Sequence, residues 1–105
     1  MIVKYRIKKY SEFENVIDNG QLIRSDSFTF YVLKNDLGFT RIGISVPKKT
    51  GNAVIRNRIK RQVRSACGQA TDFSKSIDLV IIIRKGYSIE NFVGIKQEIQ
   101  KLFEK

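Results

Sequence analysis

The chain has 105 residues, long enough for one compact domain and too short for two. Its 42% apolar content supports a packed core, yet its longest apolar run, Leu79 to Ile83, is strand-sized and far below the roughly 20 residues of a membrane span. A net charge of +10 and a pI near 10.0 favour an anionic partner and argue against an acidic one.

Ser11 followed by Glu14 reads as a capping box, with Phe13, Val16 and Ile17 as a short apolar stripe. Asn19-Gly20 closes that helix. Residues 27–33 are rich in aromatic and β-branched side chains and read as a strand. Within it Phe28 and Phe30 share one face, assigned to the core, while Thr29 and Tyr31 share the other. Tyr31 is left open between a core role and a platform on which a base stacks. Asn35-Asp36-Leu37-Gly38 follows as a turn, so residues 39–46 are expected to return as the hairpin partner of that strand, with a weaker strand allowed for before the next helix.

Pro47 to Gly51 then forms a loop, and Asn52 is the N-cap of a helix expected to reach about Ala66. Residues 77–84 read as a buried strand, and 89–103 as a last helix whose Phe92, Ile95, Ile99, Leu102 and Phe103 recur at helical spacing. Tyr87 and Phe92 are assigned structural roles. The expectation is one sheet with helices packed on it, in which the strand–helix–strand unit around the central helix would normally be right-handed.

Charge is distributed unevenly. Between Asp36 and Asp72 there is no acidic residue, whereas Arg41, Lys48, Lys49, Arg56, Arg58, Lys60, Arg61 and Arg64 all fall there. A one-sign block inside a folded domain points to a polyanion. On a helical wheel at about 100° per residue, Ile55, Ile59, Val63 and Ala66 occupy an arc of roughly 80°. Arg56, Lys60 and Arg64 step along a line beside it, Asn57 and Arg61 fill the next sector, and Arg58 projects elsewhere. Cations four residues apart lie about 6 Å apart along the axis, close to the spacing of phosphates on one strand. Like charges at this spacing destabilise the helix by a few tenths of a kcal/mol per pair, a cost that an anionic ligand would offset. Asn57 is either a polar surface position or a hydrogen-bonding group for a base edge, a phosphate or a 2′-hydroxyl.

The run Gly51-Asn52-Ala53-Val54-Ile55-Arg56-Asn57-Arg58-Ile59-Lys60-Arg61 resembles the Arg-Asn-Arg signature helix of the bacterial ribonuclease P protein family. Arg41 to Lys49 is similar to that family's strand and Lys-Lys loop, and Glu12-Phe13, Phe28 to Tyr31 and Asp78 to Arg84 fall in its order and spacing. The likeness extends over nearly the whole chain. It implies an α+β fold, a single-domain α/β sandwich with one mostly antiparallel four-stranded sheet and three helices. Its β-α-β crossover through the signature helix would be left-handed, as in the second domain of ribosomal protein S5.

It also implies two RNA-facing surfaces. Lys48, Lys49, Asn52, Arg56, Asn57, Arg58, Lys60, Arg61 and Arg64 would bind the catalytic RNA and the substrate leader, and Phe13, Ile17 and Tyr31 would line a cleft for the single-stranded 5′ leader of precursor tRNA. The implied partners are the ribonuclease P RNA, one protein per RNA, and precursor tRNA, with neither DNA nor membrane. The implied cofactor is Mg2+, held mainly by the RNA.

The chain itself offers no catalytic or metal-binding set. Histidine is absent, the ten carboxylates are scattered, and Cys67 has no histidine beside it. A lone cysteine and an N-terminus without the long apolar segment of a signal peptide fit a reducing, cytoplasmic setting. Two rival functions remain at this level. A general or ribosome-associated RNA-binding protein would share the basic helix. A DNA-binding module would use that helix in the major groove, although residues 42–46 and 77–84 read as strands where a helix-turn-helix protein needs a helix.

Overall fold

The computed structural model describes residues 3–25 and 27–104. Three helices, α1 (Tyr10–Asn19), α2 (Ala53–Ala70) and α3 (Phe92–Leu102), accompany four strands, β1 (Gln21–Arg24), β2 (Phe28–Lys34), β3 (Arg41–Ser45) and β4 (Ile77–Ile83). Single 3-10 turns cover Val3–Tyr5, Lys48–Thr50 and Ile89–Asn91. The sheet order is β1-β2-β4-β3, with β1–β2 and β2–β4 antiparallel and β3–β4 parallel. This is a mixed-sheet α+β fold. No helix among the described residues is long and apolar enough to cross a membrane.

β4 is central and covered on both faces, which explains why its sequence, Asp78 apart, is apolar rather than alternating. Leu79, Ile81 and Ile83 join Phe28, Phe30 and Ile42 against Ile59, Val63, Ala66 and Cys67 of α2 and Ile95 and Ile99 of α3. On the opposite face Val80 packs with Ile7 and with Val16 of α1, surrounded by Phe13, Ile17, Tyr31, Leu33 and Ile82. Each such side chain contributes about 1.5–3 kcal/mol on full burial. Phe28 and Phe30 are in the core as expected, their rings stacked with centroids 4.9 Å apart.

Several expectations give way. β3 is not the hairpin partner of β2, because β4 lies between them: Leu33 pairs with Asp78, and Asp78 pairs with Arg41. The turn is real, with Asn35 Oδ1 accepting from the Leu37 N–H at 3.0 Å and Gly38 at φ 83°. It steps across a strand's width instead of reversing onto β2. The fourth strand is β1, before β2, not one preceding α2; of its side chains only Ile23 is even partly buried, so alternation leaves little trace.

The capping box does not form either. α1 begins two residues earlier, with Lys9 instead of Ser11 at the cap position and no side-chain cap, and Glu14 accepts from the Tyr10 hydroxyl. α2 runs a turn past Ala66 to Ala70, since Cys67 and Ala70 still pack on the core. Ile55, placed on the buried arc by the wheel, is 44% exposed and lies against Gly51 rather than the sheet.

Arg41, counted in the one-sign basic block, has a structural role. It donates from Nε and Nη2 to the two oxygens of Asp78 at 3.0 and 2.8 Å, and from Nη1 to Glu12 Oε2 at 2.9 Å. Asn35 Nδ2 adds a bond to Asp78 Oδ1 at 2.8 Å. One guanidinium thus joins α1, β3 and β4, and its pKa is raised by the hydrogen bonds to Asp78.

Cys67 and Tyr87 give the fold an alkaline limit. Burial pushes the Cys67 thiol up to about 12 and the Tyr87 phenol up to about 12. Tyr87 carries the structural role expected of it, its hydroxyl donating to Gln62 Oε1 of α2. Both groups stay neutral in the fold, whereas in the unfolded chain they ionise near 8.5 and 10. The unfolded state therefore binds fewer protons above those values, and stability falls as pH rises toward 12. The slope is about 1.4 kcal/mol per pH unit for each group. Urea midpoints should drop between pH 9 and 11, and Cys67→Ala should flatten the first part of that drop; an unchanged profile in the variant would remove the thiol from the account.

Candidate RNA interface

α2 is anchored at its start by the loop that precedes it. Asn52 Oδ1 accepts from the Ile55 N–H at 3.0 Å, capping the helix start. That places Asn52, expected among the RNA contacts, in a structural role at its side-chain oxygen. Arg56 donates from Nε to the Gly51 carbonyl at 3.2 Å, which fixes its guanidinium against the preceding loop. Lys48 and Lys49 are exposed on the short 3-10 turn just before.

From this start, Ile59, Val63, Ala66 and Cys67 bury the inner face, and the cations divide. Asn57, Arg58 and Arg61 are exposed to solvent, while Lys60 and Arg64 are partly buried toward the β3 edge. Among the described residues, no carboxylate forms an ion pair with any of the five cations of this helix; the ion pairs there use Arg41 and Lys101.

Beside Lys60 and Arg64 a cleft opens along the edge of β3, between α1 and α2. Its wider part, about 410 Å³, is lined by Lys8, Tyr10, Phe13, Ile44, Ser45 and Lys60, among others. A smaller recess of about 80 Å³ continues from it, lined by Arg6, Gly43 and Arg64, and the two share Ile7, Phe13 and Ile44. The Phe13 ring lies directly on Gly43, where a Cβ would overlap it. Glycine is required there for this close approach, which brings an aromatic ring of α1 to the strand edge.

Of the three expected cleft residues, Phe13 therefore lines the cleft. Ile17 and Tyr31 are half-buried between α1 and the sheet, in the same apolar layer but lining neither part. The structure also adds residues that the sequence reading missed: Arg6, Lys8, Tyr10, Ile44 and Ser45. The N-terminal segment reaches the cleft by pairing with the β3 edge, Ile7 N–H donating to the Ile42 carbonyl at 3.0 Å. A stretch of this kind has no periodicity; the one visible signal was the density of Arg6, Lys8 and Lys9 before α1. Arg6 Nε is buried without a hydrogen-bond partner, an arrangement that an entering anion would satisfy.

Residues 1–105 match the sequence profile of the family described as Ribonuclease P. The chain belongs to that family. Ribonuclease P protein components resemble it over most of their length. The one from Mycoplasma mobile is 38% identical over 102 residues, covering 97% of this chain and 89% of that protein. The one from Mesoplasma florum is 42% identical over 98 residues, covering 91% of this chain and 89% of the relative. Among solved structures, the Staphylococcus aureus RNase P protein superposes with a TM-score of 0.81 at 29% identity, covering 95% of each chain. The Thermotoga maritima RNase P protein gives 0.77 at 26% identity, covering 94% of each. The resemblance carried by Gly51 to Arg61 is thus borne out over the full chain, and the α+β fold with it.

Proposed function

We propose that this protein is the RNA-binding subunit of a ribonucleoprotein ribonuclease P, which removes the 5′ leader of precursor tRNA. The observation that carries the reading is the cleft on the β3 edge, where Phe13 and Tyr10 face Lys60 and Arg64. Single-stranded RNA is held by such a combination, bases stacking on aromatic rings while cations follow the phosphates. The family membership supplies the reaction, and the unpaired cations of α2 supply the means of holding RNA.

In this reading the leader enters between α1 and α2, with Phe13 as its stacking platform and Lys60 and Arg64 on its phosphates. Arg6 Nε, already desolvated, takes an anion in the recess. Lys48, Lys49, Asn57, Arg58 and Arg61, on the outer side of the helix and its loop, meet the catalytic RNA, one protein to one RNA. Arginine suits that task because its planar fork grips phosphate at two points. Mg2+, held mainly by the RNA, would supply the Lewis acidity that activates water and stabilises the departing oxygen. The residues of this chain bind and orient the substrate and neutralise its charge, so fewer metal ions are needed to hold the complex together.

The test is cleavage of a leader-bearing precursor tRNA at low Mg2+ by the catalytic RNA with and without this protein. Accurate cleavage restored by the protein is the expected result. Binding without any effect on cleavage would instead establish a general RNA-binding protein.

A further inference from the structure

Among the described residues Tyr10 is the most exposed of the large apolar side chains, 78% open to solvent, and it belongs to neither core cluster. Its place is fixed all the same. The Tyr10 hydroxyl donates to Glu14 Oε1 at 2.5 Å, one turn on, which ties the ring to α1 at the wide part of the cleft. That hydrogen bond also raises the pKa of the phenol, so the ring stays neutral beside a polyanion. Tyr10 and Phe13 stand three residues apart, neighbours on one face of α1 and displaced about 4.5 Å along its axis. This is a little more than the rise of about 3.4 Å per nucleotide in a stacked strand, so consecutive bases can meet the two rings. Phe13 lines both parts of the cleft and Tyr10 only the wider one, which makes Phe13 the inner ring and Tyr10 the outer.

The two walls differ in charge as well. α1 carries Glu12, Glu14 and Asp18 and neither lysine nor arginine, whereas α2 carries five cations and no carboxylate. A strand between them is drawn with its phosphates toward Lys60 and Arg64 and its bases toward α1. The rings stand on the wall that the bases face.

We propose that Tyr10 is a second base platform, so that the cleft holds two consecutive leader bases, one on Phe13 beside the recess and the next on Tyr10 at the mouth. The inference rests on the function proposed above and adds to it a residue and a register. Affinity for precursor tRNA is measured in the assembled enzyme for the parent, Tyr10→Leu, Tyr10→Phe and Phe13→Leu. The substrates carry an intact leader, a leader with a single abasic nucleotide placed at each position in turn, or no leader. Because Tyr10 packs in neither core cluster, Tyr10→Leu should keep the parent's melting curve.

Tyr10→Leu should bind the intact leader about 5- to 10-fold more weakly, the low end for a stacked base because this ring is open to water. Tyr10→Phe should bind as the parent does, since a phenyl ring stacks as well as a phenol. One abasic position should cost the parent that factor and cost Tyr10→Leu nothing. The position that behaves so for Phe13→Leu should be its immediate neighbour. Leaderless substrate should bind all four proteins alike. Equal abasic losses in the parent and Tyr10→Leu at every position would overturn the second platform, while coupling of Phe13 to one base would leave the proposed function standing. Both rings coupling to the same position would overturn the two-base register. A Tyr10→Leu loss that persists without a leader would also overturn it, since the ring would then touch another part of the RNA. A parent indifferent to the leader would overturn the proposed function together with this inference.

Discussion

Arg41→Met should lower the unfolding free energy by about 3 kcal/mol, read as a shift in the urea midpoint. The methionine keeps an unbranched side chain of similar reach but removes three charge-assisted hydrogen bonds at once. What remains is the Asp78 carboxylate, 7% exposed, with Asn35 as its one remaining side-chain donor. An uncompensated buried charge is what makes such a variant costly, more than the loss of the attraction itself. Against a total stability of about 5–15 kcal/mol for a domain of this kind, the loss is large. Arg41→Met combined with Asp78→Asn should recover much of it, because both charges are then gone. The salt slope of RNA binding should be that of the parent, since Arg41 faces Glu12 and Asp78 and not the RNA. Equal midpoints for parent and Arg41→Met would show that the pair behaves as a solvated surface contact.

Phe13→Leu should weaken binding of leader-bearing precursor tRNA by the worth of one stacked base, about 1–3 kcal/mol, or roughly 5- to 150-fold in affinity. Leucine retains most of the packing against Ile7, Val16 and Val80, so the cost in stability should stay below about 1.5 kcal/mol. The comparison is made in the assembled enzyme with two substrates, one carrying a leader and one lacking it. Only the first should suffer. A variant that binds both as the parent does would remove Phe13 from the substrate path and leave it as a packing residue between α1 and the sheet.

Which parts of this structure the sequence revealed follows from what each signal measures. Residues 77–83 were legible as a buried strand because a central strand must be apolar on both sides, and the α2 inner face was legible from its spacing. The pairing of β3 was not, since the Asn35–Gly38 turn reports that the chain changes direction but not that another strand will occupy the gap. Charge counting put Arg41 in the same one-sign block as the cations of α2 because a count carries no information about partners 29 and 37 residues away, where Glu12 and Asp78 lie. The cleft depends on a similar long-range fact, the contact of Phe13 with Gly43, which neither residue's neighbours announce. Arg6 was hidden for the opposite reason: its segment is irregular, and its place is set only by pairing with the β3 edge.

The sheet order has a consequence for how the chain is born. The strand at its middle is the last to be synthesised: β2 and β3 both wait for residues 77–83, and without them β3 has no neighbour strand to join. Contacts between β2 and β4 bridge a long loop, so closure entropy delays them in folding. While the final third is still in the ribosome, the basic helix has no sheet to cover its apolar side, and the emerging polypeptide holds its cations without the cleft that would direct them. The cleft on the β3 edge thus takes shape late, once residues 77–83 have joined the sheet.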